Sequence, residues 1–584
     1  MSNQAFSAFE KLIPTTVLAL ACQLLLLLLV VASTTLVLSN ASYASSSSNQ
    51  KDKPRKVAII PYWLPYFGHL SLLLNRTSKL QHARRNSPSG IFALKLFGTK
   101  CIMVWTPSLI DAAFNVDHAS LNSTKPRWAL LRKVFGADGR GKDEYVHMYT
   151  NDSVPRANAL LGSGGIRISY HIMQPMFRAI EQHAPNLLSF AERPIDQNAW
   201  EQNVNPVFHD SSLVEISFFE LISRFVAHVS LPALIGTEFL EIYPTTVEDL
   251  WDLDGGFKWL RWGFSRLWGI PSLTRAHIAR RRLLTALQSF HMAADAVSNG
   301  DDAKAPWREI GDLSEVMKER RKNWNRFQIS PGVRAVCDLN LLWATSTKPA
   351  SLVFWMLLHI HADPTLLTQI RAEIAHFVLI TQPPRVLSIP SPPRLSIDAP
   401  SLVRYCPLLK SCLYECLRLY TTPIPTRIVD KDTIIRDPDG KVQSHQDYIL
   451  EKGSYIATPL TLHHHNPRYF WQPKEFQPRR FLKANGNDSP ADHDTPPHKE
   501  NTTQPPNTFL FPTNLHPFGI GRSECPARAY AEAEILTFVA AIISLWEFSP
   551  ADSEEWIIPD RVDREIVSVP RRDLRVKVQA RKLS

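Results

Sequence analysis

One stretch has residue types and spacing suited to chemistry: Pro517-Phe518-Gly519-Ile520-Gly521-Arg522-Ser523-Glu524-Cys525-Pro526-Ala527-Arg528. Gly519 and Gly521 let the backbone come close to something flat and bulky. The loop delivers a single cysteine, Cys525, to the start of a helical pattern running from Arg528 to about Trp546. At a helix N-terminus, backbone N–H groups and the helix dipole favour a thiolate over a thiol. A soft anionic ligand on a tight loop suits an iron whose opposite face stays open. A buried structural cysteine is the plain alternative. A dinucleotide-binding loop fits worse, because its third glycine would fall at Glu524 and no strand-to-acid spacing follows.

Two further groups carry charge into apolar surroundings. Leu409 to Leu419 reads as a helix that places Glu415 and Arg418 on one face, beside Leu413, Cys412 and Cys416. Phe476-Gln477-Pro478-Arg479-Arg480-Phe481 follows downstream and supplies another arginine. Upstream, Val333 to Ile360 is a long apolar helical pattern interrupted by Ala344-Thr345-Ser346-Thr347-Lys348-Pro349. Pro349 has no N–H, so the carbonyl of Thr345 loses its helical partner and a bend is expected there.

The cysteine stretch resembles the haem-binding loop of the cytochrome P450 family, Phe-Gly-x-Gly, three residues, then Cys-Pro-Gly-Arg. It departs at Ala527, where the family usually has glycine, and at Ser523, where many members place Arg or His; Arg522 is one place off that slot. The resemblance implies a mainly α fold with small β-sheets behind a single N-terminal transmembrane helix. It implies haem b (iron protoporphyrin IX) with Cys525 as axial metal ligand, and Phe518, Gly519, Gly521 and Arg522 seating it. Arg427, after Pro423 and Pro425, stands where the family often sends an arginine to a haem propionate. Glu415, Arg418 and Arg480 would form the family's buried Glu-Arg-Arg cluster, locking the cysteine loop.

The 333–360 pattern resembles the family's central helix, whose acid–threonine pair relays protons to iron-bound dioxygen. Thr347 falls in the acid slot and Lys348 in the threonine slot, with Thr345 one turn behind Pro349. Lysine is a poor proton donor at neutral pH unless burial lowers its pKa. The site is therefore an altered relay or one that has given the relay up. Oxygen insertion into a lipophilic substrate is the implied reaction, in secondary metabolite or lipid biosynthesis. A haem-thiolate isomerase or dehydratase needing no reductase is the alternative, and a degenerate haem- or lipid-binding protein the third. Electrons would come from NADPH through a separate cytochrome P450 reductase, or through cytochrome b5, docking where Arg522 and Arg528 lie.

These groups need elements to hold them. With 44% hydrophobic residues the chain has ample material for a core, and its net charge of +10 is scattered, giving nucleic-acid binding little support. Seven isolated cysteines are no disulfide framework. Cys412 and Cys416 share a helix face, and without further ligands they read as core. Residues 1–14 form a short lumenal N-terminus. Thr15 to Ser39 is uncharged and would make a helix of about 37 Å, against about 30 Å of hydrocarbon. A cleaved signal peptide ending near Ala41-Ser42-Tyr43-Ala44 is the rival. Lys51, Lys53, Arg55 and Lys56 after the span put residues 57–584 on the cytosolic side of the endoplasmic reticulum membrane, behind a flexible basic linker at 40–56.

Farther along, Pro61 to His69 is a stiff aromatic hinge, and Gly90 to Trp105 reads as a hairpin turning at Gly98-Thr99-Lys100, with Pro107 opening a helix. Trp128 and Arg132 have the spacing of a pair that in the family contacts propionates, although Ser169 to Phe190 is the more natural place for that helix. Trp251 to Arg282 is either a substrate lid dipping into the membrane or ordinary core aromatics. Thr381 to Ile397 is a Pro-rich surface loop, and residues 483–507 a polar disordered insertion. His463-His464-His465 points its rings in different directions and reads as a turn.

Overall fold

The structure is a computed structural model. It describes residues 15–46, 54–70, 76–116 (except 86 and 88), 120–150, 165–303 (except 211), 305–383 (except 309), 392–436, 447–483, 508–520 (except 513) and 524–582. The chain divides into two units, Met1–Pro126 with Ile424–His463, and Arg127–Pro423 with His464–Ser584.

In the first unit an apolar helix, Thr15–Ser46, is long and apolar enough to cross a membrane. It does not stop at Ser39 but runs through the front of the expected linker. No glycine or proline intervenes before Pro54, so nothing local ends it. The Ser39 hydroxyl accepts the Tyr62 N–H at 3.1 Å, fastening the helix to the proline-rich hinge. Ile91–Leu96 and Thr99–Val104 form the expected antiparallel hairpin. Its turn lies at Phe97-Gly98, both at positive φ (48° and 77°), a twist that suits a two-residue loop. The hairpin continues into a five-stranded sheet through Tyr455–Ala457, Thr426–Val429 and Leu121–Asn122. Pro107 opens the helix Pro107–Phe114.

The second unit is helical. Its central helix, Pro331–Ala362, is buried from Thr345 through Leu358. It packs against Phe218–Ile235, Pro271–Ser298, Pro407–Tyr420 and the C-terminal helix Arg528–Leu545. Phe218–Ile235 also has the length and composition of a span, yet 72% of its apolar window is buried within the protein. The expected central helix runs unbroken through Pro349. Side-chain hydroxyls of Thr345, Ser346, Thr347 and Ser351 bond back to carbonyls four residues earlier at 2.6–2.9 Å. Packing on all sides holds the helical course that proline alone would weaken.

A four-stranded sheet, ordered Trp546–Pro550, Arg575–Ala580, Val214–Ser217 and Val207–Phe208, closes one part of this unit. The Pro-rich segment expected as a loop is bounded by an antiparallel pair, Val378–Thr381 with Arg394–Ile397, and residues 384–391 lie outside the described residues. Most of the polar insertion, 484–507, lies outside them too. Its two ends are tied by Lys483 N–H to the Thr508 carbonyl (3.0 Å) and Leu510 N–H to the Phe481 carbonyl (2.8 Å).

Candidate haem-thiolate site

The cysteine loop enters the C-terminal helix at Arg528. Gly519 has φ 93°, a conformation that only glycine adopts readily. Its N–H donates to the His516 carbonyl at 3.1 Å, and the Cys525 N–H donates to the Phe518 carbonyl at 2.7 Å, folding the loop back on itself. Gly521, Arg522 and Ser523 lie outside the described residues. Burial pushes the Cys525 thiol up, and the Glu524 carboxylate adds to this. The Ala527 N–H and the Arg127 guanidinium pull the other way without prevailing. The helix terminus therefore does not by itself make the thiolate expected from sequence. In a buried site desolvation outweighs one amide donor.

A metal cation would reverse that balance. Among the described residues no three His, Cys, Asp or Glu side chains converge as a metal cluster. One thiolate alone fits a metal that brings its own equatorial ligands, as the iron of a porphyrin does. The donor set and the glycine-bearing loop thus suit haem.

Beneath the loop, Pro407–Tyr420 carries Glu415 and Arg418, neither exposed to solvent. The structure brings both to Arg480. Arg418 donates from Nε and Nη2 to the two Glu415 oxygens at 2.8 Å each. Arg480 Nε lies 3.0 Å from both oxygens, and the Gln477 N–H reaches Oε1 at 3.0 Å. The rest of the Arg418 fork is spent on the carbonyls of His464, Pro473 and Glu475. Every charge has partners, which is what burial of an ion cluster demands. Of the three histidines, His464 contributes its backbone carbonyl here.

Arg528 was expected at a docking surface. Its side chain, 28% exposed, is engaged by three neighbours: Nε donates to Glu532 at 2.8 Å, Nη1 to Glu524 at 2.9 Å and Nη2 to the Tyr414 hydroxyl at 2.7 Å. Its guanidinium carbon lies 4.4 Å from the Phe511 ring centre and 5.7 Å from that of Phe518.

On the central helix, the Thr347 hydroxyl donates to the Trp343 carbonyl (2.7 Å) and the Thr345 hydroxyl to that of Leu341 (2.9 Å). Lys348 is buried and ion-paired with Asp254 of the helix Thr246–Arg261. Trp343 Nε1 donates to the same carboxylate at 3.0 Å, and the Lys348 ammonium sits 4.2 Å from the Trp343 ring centre. Arg564 Nη1 donates to the Asp254 carbonyl at 3.2 Å. Burial pulls the Lys348 pKa down, and Asp254 offsets part of that. An acid thus stands beside the Thr347–Lys348 slot, on another helix. Nothing in the sequence spacing pointed to Asp254.

Trp128 is buried against Tyr145, with ring centres 5.3 Å apart, while Arg132 is exposed. The cation whose charge reaches Cys525 is Arg127. Arg427, in the first unit, donates to the Phe114 carbonyl at 2.9 Å and lies over the Phe114 ring. In the 251–282 stretch, Trp259 and Phe264 contact each other while Leu267 and Trp268, 86% and 64% exposed, project at the tip.

Residues 318–578 match the family model for cytochrome P450. The chain is 23% identical over 354 residues to a cytochrome P450 monooxygenase of Gibberella zeae, covering 60% of this chain and 59% of that one. It is 24% identical to the 7-alpha-hydroxycholest-4-en-3-one 12-alpha-hydroxylase of Oryctolagus cuniculus (43% and 50% covered). To human prostacyclin synthase it is 23% identical (49% and 57%). The chain thus spans between half and three fifths of the length of these relatives. The match runs through the central helix, the Glu415 cluster and the Cys525 loop, so residues 318–578 carry a cytochrome P450 domain.

Proposed function

We propose that the protein is a membrane-anchored haem-thiolate monooxygenase that inserts one oxygen atom from O₂ into a lipophilic small molecule. The observation that carries this is Cys525, presented on a glycine-bearing loop whose backbone folds onto Phe518. When bound, haem supplies dioxygen activation, aided by electron donation from its thiolate ligand. Cys525 would hold it, Phe518 and Gly519 would help to seat it, and Arg127 would offer a cation for an anionic propionate. Arg427 and the undescribed Gly521 and Arg522 are further candidates for seating it. Thr345, Thr347 and Lys348 belong to the helix read as lying over the opposite face. There Lys348 and Asp254 together offer a proton donor–acceptor pair in place of an acid and a threonine.

Electrons arrive from NADPH through a separate cytochrome P450 reductase, with cytochrome b5 as a second donor. The Thr15–Ser46 helix anchors the chain in the endoplasmic reticulum with the catalytic part cytosolic, and the Leu267–Trp268 tip rests against the lipid as the lid of substrate entry. A bulky apolar substrate, a terpenoid, sterol, fatty acid or polyketide, suits this arrangement.

The test is a reduced, carbon-monoxide-bound absorption spectrum, with Cys525→Ala beside it. A red-shifted Soret band lost in the variant supports the reading; an unshifted band in both overturns it. A second reading is favoured by Lys348 standing in the threonine slot and by prostacyclin synthase among the relatives: rearrangement of a peroxide without a reductase. Turnover with an organic peroxide alone, and none with NADPH, reductase and O₂, would select it.

A further inference from the structure

The Glu415 helix presents two consecutive residues to two different loops. Glu415 holds the segment containing Arg480. Tyr414, one residue earlier and also buried, turns to the cysteine loop. Its hydroxyl donates to Glu532 Oε1 at 2.5 Å and accepts from Arg528 Nη2 at 2.7 Å. Lys410, a turn earlier on the same helix, places its ammonium 3.6 Å from the other Glu532 oxygen.

Arg528 is the centre of this group. Its backbone N–H donates to the Cys525 carbonyl at 3.3 Å. Its guanidinium takes Glu524, the residue before the cysteine, and lies over Phe518, whose carbonyl accepts the cysteine's own N–H. From its place after Cys525 this one side chain therefore reaches back to two residues that precede the cysteine and fastens them to Tyr414 and Glu532. A planar five-donor fork can hold three partners in fixed directions at once, which a lysine cannot. Pairing Glu524 matters separately. A free carboxylate one residue from a thiolate repels its charge, and Arg528 supplies the compensating cation.

We propose that Arg528 is a positioning residue for the axial ligand: with Tyr414, Glu532 and Glu524 it clamps the cysteine loop so that Cys525 is held in place for the metal. The clamp rests on the haem-thiolate reading only for its consequence; its geometry belongs to the polypeptide.

The test uses the full-length chain in detergent, as wild type, Tyr414→Phe, Arg528→Lys and Arg528→Ala. Arg320→Lys, in the buried pair with Asp338 far along the sequence, serves as a control for general destabilisation. In the reduced, carbon-monoxide-bound spectrum, Arg528→Ala is expected to lose most of the red-shifted band to the unshifted one. Tyr414→Phe should lose a smaller share, and the Arg320 variant none. Arg528→Lys should fall near Arg528→Ala, because charge without the fork does not hold three partners. Amide hydrogen exchange on the haem-free protein should show the Cys525 N–H opening about tenfold faster in Arg528→Ala. A full red-shifted band and unchanged exchange in Arg528→Ala would overturn the proposal, as would equal loss in the Arg320 control. If wild type itself shows no red-shifted band, the haem-thiolate reading fails, while the exchange experiment still decides the clamp.

Discussion

Two buried ion groups in the same unit behave differently. Around Glu415 the cations are both arginines, and the carboxylate receives two guanidiniums and an amide. Around Asp254 the principal cation is a lysine, with a tryptophan N–H beside it. Arginine stays charged under any condition a protein survives, so the first group has to be complete. A buried lysine can shed its proton when its partner is lost. The first group keeps its charges whatever the pH, while the second can change its protonation.

The largest effect should come from Glu415→Ala. It strands two guanidiniums, and breaking a buried pair costs about 3–5 kcal/mol. Loss of folded, haem-retaining protein, read by expression and thermal unfolding, is the expected outcome; an intact haem spectrum would erase the distinction drawn here.

Asp254→Asn should cost less, about 3 kcal/mol or below, because Lys348 can neutralise itself. Lys348→Met in that background should recover most of the loss. The Lys348 pKa is lowered from 10.5 on folding, so between its folded value and 10.5 the unfolded chain binds more protons and stability rises with pH. Denaturant midpoints across the alkaline range should climb in wild type and flatten in Lys348→Met.

A buried acid without a cation sharpens the contrast. Burial pushes Glu534 up to about 8, with Ser230 as its hydrogen-bond donor. Its folded pKa lies above its unfolded value, so its contribution is full below the unfolded value of 4.5 and is lost as pH rises towards about 8. Glu534→Gln should make unfolding midpoints less dependent on pH over that window.

The smallest change is expected from Thr347→Val. The lost hydroxyl bonds only a carbonyl of its own helix, so stability should fall by about 1 kcal/mol or less. A large fall in turnover with stability intact would assign Thr347 a part in the reaction beyond that bond.

The Cys525 loop, the Glu415–Arg418 pair, the hairpin before Pro107 and the apolar first helix were all legible in the chain. Each is a local pattern: a glycine where φ must be positive, two charges one helical turn apart, apolar alternation, an uncharged run. The extension of the first helix to Ser46, the engagement of Arg528 and the partner of Lys348 were not. Arg528 reads as surface charge until Tyr414 and Glu532 arrive from elsewhere. Asp254 lies 94 residues from Lys348 along the chain, and no periodicity links them.

What the sequence by itself determined was which residues have the chemistry: one cysteine on a glycine loop, one Glu-x-x-Arg helix, and an uncharged apolar run near the N-terminus long enough to cross a membrane. Only the tertiary structure decided their electrostatic state. It buried the Cys525 thiol enough to oppose its ionisation, let the charge of Arg127 act on it, and gave Lys348 an acid. Charge and proton affinity depend on desolvation and on neighbours brought together by folding, and neither is written in spacing along a chain.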